Sequence, residues 1–145
     1  MGCGFEGSGE IVELGEGVPA KMLGKKVSFS MDPYSKNYTG MWREQVLAPA
    51  NAVIPYPDSV SYDTICGAYV NPLTACGFMQ ITHDSGTPVL IQDAACSSLG
   101  KIVNKLAEQE GITVINIVRR KEQVDTLRAM GCTHVYNSSD QDVYS

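Results

Sequence analysis

The sequence predicts an α/β chain in two parts: a small β-rich unit over residues 1–60, then a parallel sheet with helical crossovers over residues 61–145. Three observations predict it. The first part alternates polar and apolar residues between frequent Gly and Pro, the period of strands with one buried face. The second part sets short continuous apolar runs, suited to strands buried on both faces, in alternation with amphipathic stretches of helical period. Each of those amphipathic stretches is followed by a Gly, the residue best able to close a helix in the left-handed region.

In chain order, Gly9–Gly15 (GEIVELG) and Lys25–Phe29 (KKVSF) alternate as strands. Trp42–Ala48 and Ala52–Ile54 read as shorter strands, the second closing at Pro55 and Pro57, which can donate no ladder bond. Tyr62–Gln80 carries apolar residues at helical intervals around Asn71-Pro72, predicting two helical pieces broken at the proline. Pro88–Gln92 is the first parallel strand. Leu99, Ile102, Val103, Leu106 and Ala107 form one apolar stripe of a helix ending near Gly111. Ile112–Val118 is the second strand; Val124, Leu127 and Met130 mark a second helix closed by Gly131, and Thr133–Tyr136 a third strand. The polar stretch Asn137–Ser145 is expected to be a loose tail. This alternation implies right-handed crossovers and a parallel sheet.

With 43% hydrophobic and 19% charged residues the chain has the composition of a globular protein. A net charge of -5 opposes a nucleic-acid partner, because phosphate-backbone binders gather cations. No apolar run is long enough to span a bilayer and no basic-then-apolar leader is present, so an intracellular chain is expected, in the cytoplasm or the mitochondrial matrix. Glu6 stands where an N-terminal myristoylation motif requires Ser or Thr. Cys3, Cys66, Cys76, Cys96 and Cys132 form no C-x-x-C pair and read as free thiols used as buried core filler. Neither His83 nor His134 stands at ligand spacing from a cysteine, so no metal site is expected.

The stretch Gln92–Lys101 (QDAACSSLGK) falls where the first parallel strand turns into its helix. Dinucleotide-binding folds bring a pyrophosphate there, against backbone N–H groups and the positive helix end. Small side chains permit that approach: Ser97 or Ser98 can cap the helix and offer a hydroxyl, and Gly100 allows tight helix packing on the strand. Ala95, Ser97 and Ser98 stand where glycine is commoner, so the turn alone reads equally well as a capped βα turn without ligand. About twenty residues on, at the tip of the second strand, such folds carry an acid for a ribose hydroxyl or an arginine for a 2′-phosphate. Here the chain reads Arg119-Arg120-Lys121, favouring the phosphate of NADP(H), since arginine offers phosphate oxygens a forked pair of donors. Cations at a helix start oppose its dipole, and a nearby anion would relieve that.

Gly4–Val18 (GFEGSGEIVELGEGV), the GxWxE pattern at Gly40–Glu44, Val70–Ala75 (VNPLTA) and the QDAACSSLG turn occur together in one order. In this the chain resembles the medium-chain dehydrogenase/reductases, in their zinc-free enoyl thioester reductase and quinone oxidoreductase branch, from Gly4 to about Asp140. The resemblance implies a partial GroES-like β unit followed by the first half of a Rossmann doubly wound sheet. It further implies Thr74 at the nicotinamide end of NADP(H), with Asn71 and Pro72 shaping a helix break that admits it. Ser97, Ser98 and Leu99, with Gly100, would meet the pyrophosphate, and Arg119, Arg120 or Lys121 the adenosine phosphate. Zinc-dependent members carry a histidine before the first motif glutamate; here Phe5 precedes Glu6 and the four-cysteine lobe is lacking, so no metal is implied and Glu6 is expected to be structural.

The reaction implied is hydride transfer from NADPH to a small-molecule enoyl thioester, enone or quinone. Members of the family are more than twice as long, and the upstream catalytic tyrosine of enoyl reductases has no counterpart here. Tyr34 and Tyr38 match no catalytic position, and no catalytic residue is assigned. In the strand order 3-2-1-4-5-6, three strands leave Val89, Leu90 and Ile91 on an open edge, which predicts that a second copy in a homo-oligomer, another subunit of a larger complex or further residues of the same protein cover it. The alternative reading is a catalytically idle relative kept as a structural or interaction subunit.

Overall fold

The structure, a computed structural model, describes residues 3–30 and 40–140. Tyr34 and Tyr38 and residues 141–145 of the tail lie outside the described residues. The chain divides into two units, Met1–Val70 and Asn71–Ser145.

The first unit holds an antiparallel sheet of β1 (Glu6–Glu10), β2 (Lys26–Ser30) and β3 (Val53–Pro55), in that order. Gly7 faces Phe29 and Val27 faces Pro55. Val27, Phe29 and Met41 are buried, with Ile11, Val46, Ala48 and Val53 packed against them. The strand expected at Gly9–Gly15 is instead Glu6–Glu10. A ladder needs a partner, and β2 begins at Lys26 opposite Glu10. Beyond that pair Ile11 N–H still donates to Lys25 O, and Gly24, at φ 72°, donates back to Ile11 O, so Val12–Gly15 enter no ladder among the described residues, and Gly15 O accepts from Val18 N–H in a turn.

The strand expected at Trp42–Ala48 does not form. Met41 N–H donates to Cys3 O and Gly4 O, and Trp42 N–H to Cys3 O, so this backbone is clamped to the chain start instead of entering a ladder. The Trp42 ring covers Gly4 so closely that a Cβ there would overlap it, and Gly4 holds φ 83°.

Helix α1 (Tyr62–Ile65) is capped by Ser61, whose Oγ accepts from Thr64 N–H. Helix α2 spans Val70–Ser85 without interruption at Pro72. The expected break therefore lies at residues 66–69. Pro72 is the third helical residue, where the missing N–H would have had no intrahelical acceptor, so the proline starts this helix instead of splitting it.

The second unit alternates β4 (Val89–Gln92), α3 (Ser98–Glu110), β5 (Thr113–Val118), α4 (Lys121–Ala129) and β6 (Val135–Asn137). The strands are parallel in the order β4-β5-β6, with Gln92 beside Asn116 and Asn116 beside Val135. Gly111 (φ 69°) closes α3 in the left-handed region. Ala75 and Met79 of α2 join Val103, Ala107, Ile112 and Val114 in one cluster. Ala95, Val118, Val124, Leu127 and Val135 form a second. β5 pairs on both sides; β4 pairs on one, and no strand among the described residues takes its other edge, where Val89 and Ile91 are exposed. The start of the expected loose tail is tied down: Asn137 ends β6, Ser138 Oγ donates to Val118 O and Ser139 Oγ to Arg119 O.

Only Cys96 and Cys132 pack against a core cluster, that of Ala95, Val118, Val124, Leu127 and Val135; the other three cysteines are not core filler. Cys3, Cys66 and Cys76 are exposed, Cys96 and Cys132 half-buried, and all are free. Among the described residues no helix is long and apolar enough to cross a membrane, and no His, Cys, Asp and Glu cluster could hold a metal ion.

Candidate functional site

The turn from β4 to α3 is built almost without side chains. Ala95 is fully buried at its centre, and its N–H approaches Ile117 O of the neighbouring strand at 3.5 Å. Ala94 takes φ 45°, a left-handed conformation that costs an alanine about 1 kcal/mol or more. Of the two serines expected as caps, Ser97 serves: its Oγ accepts from Gly100 N–H at 3.1 Å. A Cβ on Gly100 would overlap the Ala95 carbonyl oxygen and come within 2.8 Å of Ala95 Cα. The close approach that demands this glycine is thus to the turn itself, not to the strand as expected. The N–H groups of Ser98 and Leu99, in the first turn of α3, have no partner among the described residues, as helix geometry leaves them.

The turn from β5 to α4 is of opposite character. Arg119, Arg120 and Lys121 are exposed, and none forms an ion pair among the described residues. Arg120 occupies the N-cap of α4 in extended conformation without a side-chain cap bond. Gln123 reaches back instead, its Oε1 accepting from Arg119 N–H at 3.3 Å. Parallel pairing brings both turns to the same end of the sheet, where the contact between Ala95 and Ile117 links them two residues before Arg119.

Asn71 and Thr74 lie half-buried in the first turns of α2, next to Ala75, which is fully buried against the α3 side of the sheet. The start of α2 is held by Glu6, whose Oε2 accepts from Tyr69 N–H at 3.2 Å and Val70 N–H at 2.8 Å. A carboxylate on two N–H groups at a positive helix end is a stable arrangement, and it gives Glu6 the structural part expected of it.

Sequence reasoning missed an amide cluster directly beneath the first turn. Gln92 Nε2 and Asn104 Nδ2 both donate to Gly100 O, at 3.2 and 3.0 Å, and both donate to Asn116 Oδ1, at 2.8 and 2.9 Å. Asn116 Nδ2 donates to Asn104 Oδ1 and Val114 O. The available signal was Asn116 itself, the one polar residue within the run Val114–Val118.

At the far end of the sheet, where α3 and α4 terminate, an open groove is bordered by Lys105, Glu108, Gly111, Met130 and His134. Burial, aided by the Glu108 charge, pushes the Cys132 thiol above its ordinary value there. Helix C-termini and a carboxylate suit that groove poorly to an anionic ligand, whereas the Ser97 end offers N–H groups and cations.

No protein-family profile matches the chain. The 2-haloacrylate reductase of a Burkholderia species is 32% identical over 143 residues, covering 96% of this chain and 41% of that protein. A Mesorhizobium loti protein assigned as an NADPH:quinone reductase superposes with a TM-score of 0.82 at 38% identity, over 94% of this chain and 39% of its own. Over most of its length the chain is thus similar to zinc-free medium-chain dehydrogenase/reductases of the quinone and enoyl reductase branch. Other curated relatives in that branch are mitochondrial enoyl–acyl-carrier-protein reductases, including that of Bos taurus. A mycobacterial member solved in complex with NADPH superposes with a TM-score of 0.76 at 25% identity, over 92% of this chain and 40% of its own. The chain thus spans about two fifths of the length of these medium-chain reductases.

Proposed function

We propose that this chain forms the start of the nucleotide site of an NADPH-dependent reductase acting on a carbon–carbon double bond conjugated to a carbonyl, as in an enoyl thioester or enone, or on a quinone. One observation carries the cofactor assignment: three exposed cations, Arg119, Arg120 and Lys121, share a sheet end with the N–H groups of Ser98 and Leu99, and among the described residues the cations have no ion-pair partner and those N–H groups no hydrogen-bond partner. The residues fit an anionic dinucleotide with an extra phosphate. Related proteins named for NADPH and for quinone or haloacrylate reduction support the same reading.

In this assignment Ser98 and Leu99 donate backbone N–H groups to the pyrophosphate, and the Ser97 hydroxyl proton remains available to a phosphate oxygen while its oxygen caps α3. Gly100 keeps the turn tight enough for that approach. Arg119, Arg120 and Lys121 hold the 2′-phosphate. Asn71 and Thr74 address the nicotinamide end. When bound, the dihydronicotinamide supplies the hydride, and the chain's part is to bind and orient it. The open edge of β4 among the described residues supports pairing with a further strand, from a second copy, another subunit or further residues of the same protein.

Titrating the purified chain with NADPH and NADH, followed by nicotinamide fluorescence, tests the assignment. NADPH is expected to bind more tightly, with Arg119→Ala removing most of the difference; turnover of an enoyl thioester or quinone would then extend it to catalysis. Absence of NADPH binding would overturn the assignment in favour of a structural or interaction subunit.

A further inference from the structure

We infer that Asn116, acting through Gln92 and Asn104, is a positioning residue that sets the pose of the first turn of α3, the turn assigned above to the cofactor pyrophosphate; the inference rests on that assignment. The location argues for a task other than stability. Val114, Asn116 and Val118 alternate along β5 and are all buried, so the middle position of an apolar face carries a fully buried amide. An aliphatic residue of similar volume there would avoid the desolvation of that amide and of its two partners.

The geometry is over-determined. Two main-chain carbonyls, Gly100 O in α3 and Val114 O in β5, can only accept, so every amide that meets them must present its NH2 group. That fixes the orientation of Gln92, Asn104 and Asn116 and leaves Asn116 Oδ1 to receive the second hydrogen of both partners. The Asn104 and Asn116 amides then bond reciprocally, and every amide hydrogen of the three side chains is used. A network whose amide hydrogens are all used around a buried hub tolerates no rotation of one member without loss at the others.

What the network grips is informative. Gly100 O is held by the last residue of β4, by a side chain one turn along α3 and, through both, by the central strand. Gly100 N–H is held from the other side by Ser97 Oγ. The peptide groups flanking Ser98 and Leu99 are therefore fixed relative to β4 and β5, so that their N–H groups are aimed before any ligand arrives. Preorganised donors avoid an ordering cost on binding.

The test uses the whole chain with Asn116→Leu, which keeps the branched outline of the side chain and removes the hub, and Asn104→Ala, a half-buried position whose loss spares the β5 core. Native-state hydrogen exchange is read in the ligand-free protein together with NADPH affinity. Expected is at least tenfold faster exchange at Gly100 and Lys101 in both variants, little change at Val124 and Leu127, and NADPH affinity weakened on the order of tenfold. The conservative Asn104→Gln is expected to restore part of both effects. Uniform acceleration across the unit, or unchanged exchange at Gly100 and Lys101, would overturn the inference and mark the cluster as ordinary packing. Failure of the unmodified chain to bind NADPH would instead overturn the cofactor assignment, while the ligand-free exchange pattern still decides whether the network sets the turn.

Discussion

The two βα turns at the carboxyl end of the parallel sheet solve the same topological problem in opposite ways. After β4 the chain uses small residues, a serine cap, a left-handed alanine and a glycine pressed on the Ala95 carbonyl, and the Gly100 carbonyl is gripped by the half-buried amides of Gln92 and Asn104. After β5 it places three exposed cations, one of them at an N-cap that receives no side-chain bond. The first turn is bonded internally apart from the N–H groups of Ser98 and Leu99, which have no partner among the described residues. The second keeps positive charge at the positive end of a helix, an arrangement that costs stability unless an anion joins it. The difference teaches that the sheet end is shaped by one turn and charged by the other, the pairing that the proposed site for a phosphorylated dinucleotide calls for.

Substitutions can break this contrast or sharpen it. Gly100→Ala has the largest expected effect, a loss of about 3 kcal/mol in the stability of the second unit, since its Cβ meets backbone that cannot move aside; thermal or denaturant unfolding measures it. Arg120→Asp converts the second turn toward the first by supplying an anionic N-cap, and should raise stability by about 1.5 kcal/mol while weakening NADPH binding. Stability and affinity moving in opposite directions would identify Arg120 as a cation retained for a ligand. Ser97→Ala removes the cap of α3 and should lower stability by about 1 kcal/mol, read from the unfolding midpoint. Ala94→Gly relieves the left-handed strain but adds backbone freedom to the unfolded chain, for a net gain near 0.5 kcal/mol, about the smallest change such unfolding curves resolve.

The parallel half was legible because its signals are local. A continuous apolar run, a helical stripe and a closing glycine each declare their element, and β4, α3, β5 and α4 stand close to where they were expected. In the antiparallel half, alternation marks residues able to pair but not their partners. β1 was therefore expected too far along the chain, and Trp42–Ala48 was read as a strand although its backbone is bonded to Cys3 and Gly4. Pro72 was misread for a related reason: the same residue breaks a helix interior and suits a first turn, and only the position of the helix start separates the two. At the candidate site the small-residue turn and the cations could be named from sequence. The amide cluster could not, because Gln92, Asn104 and Asn116 come from a strand, a helix and another strand, and no period links them.

The measurement that tests the account most directly is the ratio of NADPH to NADH affinity, by calorimetry, for the unmodified chain and for the Arg119→Ala/Arg120→Ala double variant. Charge-assisted bonds to one extra phosphate predict a preference of about tenfold to a hundredfold in the unmodified chain, falling toward unity in the variant while NADH affinity changes little. Equal affinity for both cofactors in the unmodified chain, or a preference that survives loss of both arginines, would contradict it.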